Sequence, residues 1–350
     1  MPAEALDVEA VSVRGQQKHG GEPFPLVLRC ASPAAKLDQT VDWLAAHASD
    51  FEQKADRHGA ILFRGFPVQS PEDFDRFIAA FGWENFPYEQ SLSNAVRKNY
   101  TPRVFSANEA PADVTIYLHH EMAQTPVFPS KLFFYCQQPA ESGGATPLCR
   151  SDVLFEQMLA RCPDFARDCE HKGLRYTNVM PAEDDAASGM GRSWQSTFRA
   201  NRREEAEQRL HGLGYSWEWS DDGCLRATTP VLPAVREVGP GRKTFFNQLI
   251  AAFRGWKDSR NDPGKAITFG DGTPLDRDTV LTVAEMAEQL TYDHAWQQGD
   301  VVLVDNYVAM HGRRTFSGSR RILASLVAAE HHGAELHGTE HHGAEHHGAS

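Results

Sequence analysis

The stretch Tyr117-Leu118-His119-His120-Glu121-Met122 constrains this chain more than any other. It sets an imidazole and a carboxylate two residues apart, and alternate residues of an extended strand point the same way. Far downstream, Asp305-Asn306-Tyr307-Val308-Ala309-Met310-His311 offers a third donor. Two histidines and one carboxylate on one face of an iron leave adjacent positions open for oxygen and a chelating co-substrate. A chain that uses all three must fold so that its middle meets its end. His-x-Glu alone is an unspecific motif, because such tripeptides arise by chance on solvated strands and loops. Of the adjacent pair, His119 fits the His-x-acid spacing. His120 points the other way, toward a packing role or one supporting the ligands.

With 350 residues the chain can bury a large core. Its net charge of −12 argues against a nucleic-acid groove or an anionic membrane surface as partner. It leaves room for a local basic pocket, which a small anionic co-substrate would need. Six cysteines without a Cys-x-x-Cys pair read as reduced, buried hydrophobes. No apolar run approaches the roughly 18 residues of a membrane span. The first residues, with Glu4, Asp7 and Glu9, carry neither a signal-peptide nor a basic transit pattern. The expectation is a cytoplasmic protein with a small-molecule substrate.

Along the chain, Phe24 to Leu28 reads as a strand, Leu37 to Arg57 as a helix stopped by His58-Gly59, and Ala60 to Phe66 as a buried strand. Ser70-Pro71-Glu72-Asp73 caps a helix running to about Phe81. Leu132 to Cys136 is a strand, followed by a Gly143-Gly144 turn. Asp152 to Leu159, Asp164 to His171 and Arg203 to His211 read as helices, and Leu174 to Val179 as a strand. Tyr215 to Trp219 and Cys224 to Ala227 form a hairpin around Asp221-Asp222-Gly223. Val231 to Val238 and Lys243 to Phe246 add strands, and the insert from Gly255 to Pro274 is a loop at the mouth of a site. Val280 to Leu290 is a helix; Asp300 to Asn306 and Arg320 to Ala328 are the last strands. Many short strands with scattered helices predict a mainly β fold with flanking helices, a jelly roll rather than an alternating sheet. From Glu330 a five-residue repeat of the type Glu-His-His-Gly-Ala has nothing apolar to bury, so residues 1–329 are expected to form one domain and 330–350 a disordered His-rich tail.

Leu118-His119-His120-Glu121-Met122-Ala123, Pro129 to Cys136, Gly143-Gly144-Ala145-Thr146-Pro147, and Gly299-Asp300 through His311-Gly312-Arg313 to Arg320-Arg321 form an ordered set. It resembles the TauD/TfdA family of iron(II)- and 2-oxoglutarate-dependent dioxygenases, clavaminate synthase-like proteins in particular. The resemblance runs from about Gln16 to Leu326. It implies a double-stranded β-helix and metal ligation by His119, Glu121 and His311. It further implies that Arg321 and Thr146 hold the distal carboxylate of 2-oxoglutarate, a task suited to arginine's planar fork. Arg321 is preferred over Arg320 because it shares strand parity with Leu323 and Ser325. Two departures stand out: Ala145 where many relatives have an acid, and Ser325 where the taurine enzyme has a second arginine. The second argues against a sulfonate substrate. Glu121 keeps a carboxylate among the ligands, so oxygenation is expected rather than halogenation. Lys131, Asn247 and Asn108 are weaker candidates for substrate contact.

The function expected is hydroxylation of an unactivated C–H bond in a small polar substrate, an amino acid or carboxylate, using Fe(II), O2 and 2-oxoglutarate and releasing succinate and CO2. Two alternatives are a jelly-roll metalloenzyme without 2-oxoglutarate and a metal-binding protein that works through its His-rich tail.

Overall fold

A computed structural model describes residues 6–332 apart from 94, 189 and 257. Two sheets organise it. The larger runs in the order Val8–Ala10, Leu26–Cys30, Ala60–Arg64, Val301–Asp305, Val127–Gln138, Arg321–His331, Phe105–Ser106. The smaller runs Thr291–His294, Thr146–Arg150, Ala309–Arg313, Ile116–His119. Pairing is antiparallel except where Leu26–Cys30 meets Ala60–Arg64. Between the sheets lies a core that includes Phe134, Leu148, Val302, Val304, Ile322, Ala324 and Leu326. The chain is mainly β with helices, as its pattern of short strands predicts.

Both sheets are covered outside as well as inside. Leu37–Ala46, Ala48–His58 and Pro71–Ala79 bury Leu44, Phe51, Phe74 and Phe77 against Phe63, Phe133, Leu303 and Leu323 on the outer face of the large sheet. Ser70 caps the third of these helices by accepting from Asp73 N at 3.1 Å. The stretch read as one helix over 37–57 is two, broken at His47, whose ψ of 11° leaves the helical range. Against the small sheet, Ser151–Arg161, Leu249–Gly255 and Arg277–Gln289 bury their apolar faces on Leu118, Cys149 and Met310. Asp300 ties the large sheet to the N-terminal strands, accepting from Arg64 Nε and Nη2 at 2.9 and 2.7 Å.

The strand expected over Val231–Val238 is confined to Arg236–Gly239, because Pro230 and Pro233 cannot donate to a ladder. At the other end, Glu330 and His331, assigned to the tail by composition, instead extend the last strand opposite Phe128 and Val127. His332 N then donates to Pro126 O at 3.0 Å, and its ring packs 4.5 Å from that of Phe128. A long partner strand outweighed the repeat's polarity there. The repeat from residue 333 lies outside the described residues.

Candidate metal centre and active site

His119 ends the edge strand of the small sheet, and His311 stands directly opposite it on the neighbouring strand. Leu118 and Met310 point outward to the helices, so strand alternation turns His119 and His311 inward. Their ring centroids are 4.4 Å apart. The pairing shifts register between His311 and Arg313, and Gly312 is required there: a Cβ would collide with the carbonyl oxygen of Ile116. Glu121 lies in the turn after the strand, followed by Met122 in a left-handed conformation with φ 58°. Its Oε2 is 3.4 Å from His311 Nε2, and donor atoms of His119, Glu121 and His311 all lie within 4.8 Å of one another.

The protonation states suit a cation. His119 Nδ1–H donates to Tyr117 O at 2.8 Å, which leaves Nε2 with its lone pair. Burial, then the charge of His311, lowers the His119 pKa to about 4. Burial by itself would raise the Glu121 carboxyl, but Arg97 and His311 outweigh it and hold it well below the usual range. A neutral imidazole beside an ionised carboxylate is what a divalent metal binds without first displacing protons.

Asn306, in the turn that follows the strand Val301–Asp305, holds the Glu121 turn in place. Its Oδ1 accepts from Glu121 N at 2.7 Å, and its Nδ2 donates to Glu121 O and Pro129 O at 2.9 and 2.7 Å. His120 faces away from the centre, bonded through Nδ1 to the Asn306 carbonyl and packed 4.9 Å from the Phe246 ring. Burial lowers its pKa to about 3, so it is a neutral packing group.

A small pocket beside the three donors is lined by Thr146, Phe134, Arg313, Arg320 and Ile322. Thr146 Oγ1 accepts from Trp296 Nε1 at 3.0 Å. Arg321 is not in this pocket: it is exposed at the start of its strand, and Arg320 takes the inward position. Parity misled because both faces of the strand are buried. Leu323 and Val327 face the helices, whereas Ile322, Ala324 and Leu326 face the space between the sheets. Arg320 lies on the side of Ile322. Its Nε donates to Gly144 O at 3.0 Å, and burial, then Arg313, lowers its pKa to about 10. Gly144, at φ +69°, is packed so closely that a Cβ would stand 3.0 Å from Arg320 Cδ. The position four residues on from Arg320 is Ala324, so the interior face carries no second arginine there either.

A larger cavity of about 410 Å³ reaches His119 and Glu121 from another side. Arg97, Asn108, Tyr117, Gln248, Asp185 and Asp258 are among its lining residues. Arg97 had no signal in the sequence, because residues 84–118 have no periodicity to orient it. Its Nη2 lies 3.2 and 3.4 Å from the two Glu121 oxygens, and its guanidinium stacks over Tyr88 at 4.8 Å and Phe105 at 5.3 Å. Its Nε is buried without a partner. Asn108 lines both cavities. Asn247 and Lys131 line neither: Asn247 is buried, donating to Ala234 O at 3.0 Å, and Lys131 is buried 3.1 Å from Asp305. From the insert read as a loop at the mouth, Gly255, Trp256 and Asp258 do line the larger cavity.

Two imidazoles and one carboxylate converging on one point, with open space on two sides, fit iron(II) with positions free for oxygen and a bidentate acid. Comparison with known proteins agrees. The chain is 42% identical over 318 residues to a clavaminate synthase-like protein of Arabidopsis thaliana, covering 89% of this chain and 96% of that protein. It is 27% identical over 311 residues to the dapdiamide synthesis protein DdaC of Enterobacter agglomerans, covering 84% and 89%. Among solved structures, AAD-2 in complex with Mn(II) and N-oxalylglycine superposes with a TM-score of 0.53 at 15% identity, over 93% of this chain and 99% of that one. Residues 24–327 match the family described as taurine catabolism dioxygenase TauD, TfdA family, and the chain belongs to that family of dioxygenases.

Proposed function

We propose that this protein is an Fe(II)- and 2-oxoglutarate-dependent dioxygenase that hydroxylates an unactivated C–H bond of a small polar substrate. The observation that carries the reading is the convergence of His119, Glu121 and His311 within 4.8 Å beside a pocket that buries Arg320. Iron(II) bound there supplies the activation of O2, coupled to decarboxylation of 2-oxoglutarate to succinate and CO2. The chain's own residues bind and orient. His119, Glu121 and His311 hold the metal. Arg320 presents its guanidinium to the distal carboxylate, with the Gly144 carbonyl fixing its Nε, and the Thr146 hydroxyl lies in the same pocket. Phe134 and Ile322 give that pocket an apolar wall. The primary substrate enters the 410 Å³ cavity, where Arg97 and the acids Asp185 and Asp258 favour a molecule with both signs of charge, such as an amino acid. The two facing sheets form the jelly roll, and residues 6–332 belong to its single domain.

The test is succinate formation from 2-oxoglutarate with Fe(II), ascorbate and air, using chain ended after His332 so that tail-bound metal does not contribute. His119→Ala and Arg320→Ala run beside it. Succinate from the parent and from neither variant is the expected result. A parent that, iron-loaded, fails to bind 2-oxoglutarate would sink the co-substrate assignment.

A further inference from the structure

The co-substrate pocket also opens away from the substrate cavity, into a hollow of about 800 Å³. Arg97, Asn108 and Ala110 border both large spaces and form the wall between them. Arg313, Arg320 and Ile322 line both the hollow and the co-substrate pocket, so the hollow leads directly to Arg320. Five cations line it (Arg97, Lys98, Arg313, Arg320 and Arg321) against a single acid, Glu109. In a chain of net charge −12 that is a strong local excess.

Arg97 is paired with Glu121, while the other four have no carboxylate partner among the described residues. Arg313 donates to four backbone carbonyls, those of Asn108, Ala110, Pro111 and Val114, which keeps its positive charge while fixing the wall. Arg320 donates to the Gly144 carbonyl. No carboxylate pairs with Lys98, Arg320 or Arg321 among the described residues, and Lys98 and Arg321 are exposed. The substrate cavity is mixed instead: Arg97 lines it together with Asp185 and Asp258, which Arg260 holds at 2.9 and 2.6 Å. Unpaired charge of one sign around a concave, low-dielectric mouth focuses the field and raises the association rate of an oppositely charged ligand by about 10- to 1,000-fold.

We propose that the hollow is a separate entrance for the anionic co-substrate: a 2-oxo dicarboxylate is drawn in past Lys98 and Arg321 and delivered to Arg320, while the primary substrate uses the other cavity. This rests on the 2-oxoglutarate reading above. It gives the exposed Arg321 a role in steering while Arg320 holds the bound anion.

The experiment is stopped-flow binding of N-oxalylglycine to the full-length Mn(II)-loaded protein, read by tryptophan fluorescence across a range of salt concentrations. Lys98→Glu/Arg321→Glu is compared with Arg161→Glu/Arg209→Glu, which changes net charge equally on exposed helical positions outside the hollow. Expected is an association rate about tenfold lower in the first pair at low salt, a flatter salt dependence, and an unchanged dissociation rate. The control pair should track the parent. Equal slowing in both pairs, or none in the first, would overturn the entrance. A parent that binds no N-oxalylglycine would overturn the functional reading itself, a result that cannot be confused with a change in rate.

Discussion

His311 sits opposite His119 across an antiparallel pair, with ring centroids 4.4 Å apart, and Glu121 closes the triangle at 3.4 Å from His311. Removing any one corner leaves two donors, too few to hold a divalent cation against water. Glu121→Ala, His119→Ala and His311→Ala should each weaken Mn(II) or Fe(II) binding by on the order of 100-fold or more, since even partners of ligands are worth about 10- to 100-fold. Titration calorimetry on chain ended after His332 measures this directly. A variant that keeps parental affinity would remove its residue from the ligand set.

Arg320 and Arg321 are adjacent, yet only the first lines the pocket beside the metal candidates. Arg320→Ala should raise the Kd for 2-oxoglutarate about 100-fold, as expected for losing one partner of a buried, hydrogen-bonded charge pair. Arg321→Ala should leave the dissociation rate at its parental value. Reversed roles in equilibrium binding would restore the assignment that strand parity suggested.

Asn306 satisfies the backbone N–H and C=O of Glu121 from the turn between the strands Val301–Asp305 and Ala309–Arg313. Asn306→Ala strands those groups in the interior. It should cost about 2–4 kcal/mol of stability in urea unfolding, with metal affinity falling as the carboxylate loses its placement. Stability at the parental value would show the turn to be held by other contacts.

Burial lowers the pKa of His119 to about 4 and that of His120 to about 3, from 6.5. Below pH 6.5 the unfolded chain therefore binds protons that the folded chain refuses. Their contribution to stability is full above about pH 6.5 and is lost as pH falls toward 4 and then 3. Urea midpoints of the metal-free protein should drop steeply across that window. His120→Phe, which leaves the metal ligands in place, should flatten the drop; an unchanged slope would assign the protons elsewhere.

How much of this was legible in the sequence depends on whether a residue's surroundings are local. The His-x-Glu spacing and the family resemblance link His119 to Glu121, although the strand ends at His119 and Glu121 lies in the turn beyond it. Arg320 could not be placed, because the strand Arg321–His331 is buried on both faces and parity does not say which face sees the metal. The helix Leu249–Gly255 went unread because Leu249, Ile250, Ala251 and Ala252 are all buried, which leaves no polar side to reveal a helical period. Arg97 reaches Glu121 from an irregular segment whose path is set by tertiary contacts.

The strand bearing His311, and the strand after it that carries the inward face of Ile322 and Ala324, leave the ribosome well after His119 and Glu121. Until they emerge, His119 and Glu121 belong to a sheet without its central partners. Capture of iron by these three donors would therefore wait for His311, and a nascent chain stalled before that residue would hold no iron at this site to generate oxidants.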